Sequence, residues 1–164
     1  MNADTILVGL TIPKLLPITG SFVLPLSAYY LYLQTRVVYI RLTTETYMGH
    51  DCSEKTSATN AVSSSESQDT DPLYAVSRAQ MNFAENVPLA LLLAGIVELN
   101  GGSRKALTYT LSALTVLRVL HAELGVMSKN NVGIGRIPGY YGTQAVIAGL
   151  AGYAGYLVKG YWGY

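Results

Sequence analysis

Long apolar stretches separated by short polar interruptions dominate this chain. No charged residue lies between Lys14 and Arg36, nor between Arg136 and Lys159. Each interval meets the length of about 20 residues that carries an α-helix across a bilayer. Residues 72–99 read as one further helix, with Asp71 as N-cap and Pro72 at the first helical position, where a missing amide costs nothing. Asn100-Gly101-Gly102 stops that helix, and Ser103 caps another that runs to about residue 127. Pro88 is expected to kink the second helix, because the carbonyl of Ala84 loses its helical partner. The expected spans are 17–42, 72–99, 103–127 and 138–159, forming one domain. Residues 43–71 are rich in Ser and Thr, acidic and without apolar periodicity, and are expected to form a flexible loop. The pattern predicts an all-α, integral membrane four-helix up-down bundle.

Composition supports that reading. Half of the 164 residues are hydrophobic and 13% are charged, against about 25% in a soluble domain. A net charge of +1 gives no reason to expect nucleic acid. The lone Cys52 allows neither an intramolecular disulfide nor a cysteine metal cluster. The N-terminus lacks the basic region of a secretory signal, so an uncleaved first segment is expected. Tyr29, Tyr30, Tyr39, Tyr140, Tyr141, Tyr161 and Trp162 fall near the expected span ends, as interfacial aromatic residues do.

In an up-down bundle the connections after the first and third helices share one membrane face. The unusual polar residues gather there. Arg36 and Arg41 end the first helix; Arg78, Asn82 and Glu85 occupy the first half of the second; Arg118 and His121 lie late in the third; Arg136 and Tyr140 start the fourth. The other face offers Lys14, Arg104, Lys105 and Lys159, all near segment ends. Arg78, Asn82 and Glu85 stand at i, i+4 and i+7 and share one helical stripe. A charge near the bilayer centre costs about 2.5–3.5 kcal/mol on insertion scales, so such residues pair or line a polar cavity. Pairing of Arg78 with Glu85 inside the bundle, a packing role for His121, and anchoring by Arg36, Arg41, Lys129 and Arg136 remain open readings of the same residues.

The run Arg78-Ala79-Gln80-Met81-Asn82-Phe83-Ala84-Glu85-Asn86-Val87-Pro88-Leu89 resembles the second-helix signature of the MAPEG family, membrane-associated proteins of eicosanoid and glutathione metabolism. The stretch from Arg118 through His121 and Glu123 to Gly125 resembles that family's third-helix end, and Arg136 with Gly139 and Tyr140 resembles its fourth-helix start. The resemblance covers about residues 24–158, apart from the polar loop. It implies a homotrimer of four-helix subunits in the lipid bilayer of the endoplasmic reticulum, with glutathione as co-substrate bound between neighbours near the cytosolic face. It assigns Arg36 (or Arg41), Arg78, Gln80, Asn82, Glu85, His121 and Tyr140 to glutathione binding and Arg136 to stabilising the glutathione thiolate, with no metal. Arginine suits the carboxylates through its planar fork, Glu85 suits the ammonium group, and a cation beside the sulfur favours the reactive thiolate.

Departures narrow the expected chemistry. Asn86 and Gly125 stand where some members carry tyrosines, and Ile137 where the prostaglandin E synthase branch has a serine. A glutathione transferase acting on lipophilic electrophiles, with peroxidase activity as an extension, fits better than a prostaglandin or leukotriene synthase. A non-catalytic membrane adaptor that binds a lipid or a partner enzyme is the alternative. A transporter is disfavoured, because the polar residues do not form a continuous line. Ala148 with Gly152, and Ala151 with Gly155, give small-xxx-small spacing suited either to oligomerisation or to packing within the subunit.

Overall fold

The computed structural model describes residues 15–44, 72–127 and 133–163. Asp71, Cys52, Lys14, Lys129 and most of the polar loop lie outside the described residues. Four helices make up the bundle: α1 Pro17–Thr44, α2 Pro72–Leu99, α3 Arg104–Leu120 and α4 Arg136–Val158. A π-helical turn, His121–Val126, extends α3, and a 3-10 turn, Lys159–Trp162, follows α4. Among the described residues, Leu73–Leu99 is the one helix that is apolar and long enough to cross a membrane by strict length and composition. The intervals free of charge in α1 and α4 are diluted by Thr, Ser, Tyr and Gly.

Side-chain bonds join neighbouring helix ends. Glu98, at the end of α2, reaches the start of α1, where its carboxylate accepts the amides of Ile18 and Thr19 at 2.8 Å each and the Thr19 hydroxyl at 2.7 Å. A first turn leaves amides without helical partners, and a carboxylate there also meets the positive end of the helix dipole. A capping group thus comes from another helix, 79–80 residues away. The sequence reading of this face, limited to basic residues, missed it. Ser103 occupies the N-cap position of α3, but its side chain makes no capping bond. Its amide instead donates to the Tyr153 hydroxyl of α4 at 2.8 Å.

Local chemistry moves several helix ends. The α1 helix continues through Thr44 because the hydroxyls of Thr43 and Thr44 bond back to the carbonyls of Tyr39 and Ile40. Gly101, at φ 77°, turns the chain between α2 and α3, and the amide of Gly102 closes on the Val97 carbonyl at 2.9 Å. Pro88 does not interrupt α2, which runs unbroken to Leu99. The α4 helix starts at Arg136, with Pro138 in its first turn, where no amide is needed.

Two main clusters form the core. Ala90, Ala94, Val97, Leu107, Leu111, Leu114, Leu150 and Ala154 join α2, α3 and α4 at one end. Leu26, Leu33, Ala79, Phe83, Val87, Ala122 and Val126 join α1, α2 and the π turn at the other. Tyr29 and Tyr30 pack inward rather than standing free at a helix end. They sit mid-way along α1, half-buried, with ring centroids 5.5 and 6.1 Å from Phe83. By contrast Ala148, Ala151, Gly152 and Gly155 are exposed on α4. A Cβ added at Gly152 or Gly155 would meet nothing within 4 Å, so this stripe takes no part in packing within the chain.

Candidate functional site

A tight junction between α3 and α4 builds the polar end of the bundle. The π turn is closed by the Met127 amide on the Ala122 carbonyl at 3.0 Å, a five-residue step. The chain then folds back on it: the amides of Gly133 and Gly135 donate to the carbonyls of Gly125 and Leu124 at 3.2 and 3.3 Å. These bonds satisfy carbonyls that the end of a helix leaves open, and they carry Arg136 to the side of His121. Glycine makes the approach possible. A Cβ at Gly125 would lie 2.9 Å from the Arg136 backbone, and one at Gly139 would lie 2.5 Å from the His121 Cβ. A tyrosine at position 125 therefore has no room here.

The junction opens into a cavity of about 420 Å³ lined by Tyr74, Arg78, Asn82, His121, Val126, Arg136, Ile137, Tyr140 and Tyr141. That volume lies in the range of about 300–1,000 Å³ typical of small-ligand sites. Tyr74, Arg78 and Asn82 form the α2 wall at four-residue steps, and the Asn82 side chain donates to the Arg78 carbonyl at 3.0 Å. The Nδ1 atom of His121 lies 3.2 Å from the Arg136 carbonyl. A carbonyl can only accept, so Nδ1 carries the proton and Nε2 remains as an acceptor in neutral imidazole. Tyr140 packs edge-on against Tyr141, with centroids 5.3 Å apart. Among the described residues, the lining includes two arginines and no Asp or Glu. Such a wall attracts anions.

Five of the eight residues expected at the site thus share one cavity: Arg78, Asn82, His121, Arg136 and Tyr140. Three do not line it. Arg36 lies on the α1 side of α3, where its Nη1 contacts both oxygens of Glu123 at 3.2 Å. Gln80 faces α1 as well and donates to the Tyr30 hydroxyl at 3.1 Å, since a two-residue step from Arg78 turns a side chain about 200° around the helix. Glu85 is exposed on α2 and makes no pair with Arg78. Between α2 and α4, Gln144 donates to Asn86 at 3.1 Å, one turn beyond Asn82. Asn86 therefore ties two helices together.

Two further residues escaped the sequence reading in whole or part. Glu123 is the acidic partner of Arg36 and also accepts the Tyr29 hydroxyl at 3.2 Å. Arg118 is buried behind the cavity wall, 2% exposed. Its Nη2 donates to the Gly139 carbonyl at 2.6 Å, an oxygen shared with the Thr143 hydroxyl, while its Nε has no partner. The position of Arg118, three residues before His121, marked it as polar; nothing local marked it as buried.

The MAPEG family pattern matches residues 20–156. The chain belongs to the MAPEG family. That match spans all four helices and the whole cavity, and it places the protein among membrane-associated proteins of glutathione and eicosanoid metabolism. No curated protein and no solved structure matches the chain at a significant level. Among the described residues, no three His, Cys, Asp or Glu side chains converge as a metal site would require.

Proposed function

We propose that this MAPEG protein is a membrane-embedded glutathione transferase that joins the glutathione thiolate to lipophilic electrophiles. One observation carries the reading: Arg78, Asn82, His121, Arg136 and Tyr140 line a single cavity. Glutathione brings two carboxylates and, once activated, a thiolate, so its charge complements this lining. Arg78 is assigned to a carboxylate, where a guanidinium can form two parallel hydrogen bonds. Asn82 and Tyr140 position the peptide, and His121 offers Nε2 to a ligand N–H. Arg136 is assigned to the sulfur, where its charge favours loss of the thiol proton to solvent. The sulfur electron pair then forms a bond to the electrophilic carbon, and the leaving group departs with the electrons of the broken bond. Towards a lipid hydroperoxide, two glutathione molecules would be oxidised to the disulfide while the peroxide is reduced to an alcohol and water.

Glutathione-binding roles for Arg36, Gln80 and Glu85 remain part of the proposal only through a neighbouring chain, because within one chain they stand off the cavity. The exposed α4 stripe of Ala148, Ala151, Gly152 and Gly155 suits close contact with such a neighbour. A homotrimer in the endoplasmic reticulum membrane, with its cavities near the cytosolic face, is the assembly proposed.

The test is glutathione titration of the detergent-purified protein, followed by thiolate absorbance near neutral pH. A saturable thiolate signal that vanishes in Arg136→Ala, with glutathione binding largely retained, is the expected result. Folded protein that neither binds glutathione nor gives the signal would overturn the enzyme reading and leave a membrane adaptor in its place. Binding without thiolate would refute the role of Arg136.

A further inference from the structure

Glu123 stands two residues beyond His121 in the π turn, so the two side chains leave α3 on opposite sides. His121 enters the cavity, whereas Glu123 turns towards α1. Its Oε1 accepts both the Tyr29 hydroxyl and Arg36 Nη1 at 3.2 Å, and its Oε2 accepts the same Nη1 at 3.2 Å. Tyr32 backs the guanidinium, with its hydroxyl at 3.2 Å and its ring centroid at 5.5 Å. The paired side chains are only 33% and 35% exposed. A half-sheltered, multiply bonded pair of this kind resists screening better than a surface pair.

The position of the pair gives it a consequence. A π turn holds one more residue than an α turn, and relaxation to the α register would rotate one side of the turn by about 100° relative to the other. His121 opens that turn. The contacts of Glu123 with α1 are compatible with one register only, since a rotation of that size would carry the carboxylate away from Arg36 and Tyr29. We infer that Glu123 is a positioning residue: held by Arg36 and Tyr29, it pins the π turn and thereby aims His121 into the cavity. The inference rests on the glutathione reading for what His121 does there, while the orientation of His121 can be measured independently of it.

The experiment uses the full chain in detergent micelles. His50 and His121 are the two histidines, so His50→Gln with ¹⁵N-labelled histidine leaves one imidazole to observe. Glu123→Gln, Arg36→Gln and the double variant are compared in that background, with their unfolding midpoints and glutathione affinities. Each single change is expected to shift or broaden the His121 signals and to raise the glutathione Kd about tenfold, as expected for loss of an interaction involving a charged group. The double variant should be no worse than either single one, because all three break the same contact. Unchanged His121 signals overturn the inference, even where the unfolding midpoint falls. Additive effects of the two substitutions overturn it too. If the unaltered chain binds no glutathione, the proposed function falls, and the imidazole spectra still decide whether Glu123 positions His121.

Discussion

Replacing Gly139 by alanine tests whether the α3–α4 junction is as close as the cavity requires. The added Cβ would lie 2.5 Å from the His121 Cβ and 2.9 Å from its Cα. Carbon atoms pack best at about 3.5–4.0 Å, so the helices must part by about 1 Å or more at this level. Overpacking of this kind costs about 1–3 kcal/mol. Alanine also gains about 1 kcal/mol over glycine within a helix, which would mask part of that loss. Gly149→Ala supplies the reference, because a Cβ there meets nothing within 4 Å in the same helix. The difference between the two variants should therefore be about 1–3 kcal/mol, the overpacking cost alone, because the helix-propensity gain cancels between them. Unfolding in mixed detergent micelles, with sodium dodecyl sulfate as denaturant, measures it. Folded Gly139→Ala should also lose glutathione thiolate, since His121 and Arg136 no longer meet as before. Equal stability of Gly139→Ala and Gly149→Ala would refute the close junction on which the site rests.

Other expectations follow from single contacts. Glu98→Gln should weaken the cap on α1 by about 1–3 kcal/mol, as expected when hydrogen bonds to a charged group are lost; faster amide exchange at Ile18 and Thr19 would register it, and unchanged exchange would dismiss the cap. Arg78→Ala should raise the glutathione Kd by about tenfold or more, through loss of a charge-assisted carboxylate contact, as calorimetry would show. Gln144→Ala should loosen α2 from α4 by about 0.5–1.5 kcal/mol, the usual net value of one neutral hydrogen bond; no change in unfolding midpoint would count against that bridge. Gly125→Tyr should lower the yield of folded protein, since the Arg136 backbone occupies the space; a normal yield would count against the close approach.

Much of the architecture was legible along the chain because helix signals are local. Intervals without charge, the Asn100-Gly101-Gly102 stop and the proline in the first turn of α2 act within a few residues, and each found its place in the four helices. The stripe of Arg78 and Asn82 follows from helical period alone, and both line the cavity. Which side chains meet across helices is a different matter. It depends on the rotation of each helix about its axis and on the offset between helices, and neither leaves a mark in a short window. The same period that placed Arg78 in the cavity turned Gln80 to Tyr30. The π turn added a residue that no polar pattern announced, sending His121 to one side and Glu123 to Arg36 on the other. The glycines at 125 and 139 look unremarkable in sequence, yet they allow the contact that brings His121 to Arg136. Local composition thus determined the helices and one wall of the site; the tertiary packing decided which charges face the cavity and which hold the bundle together.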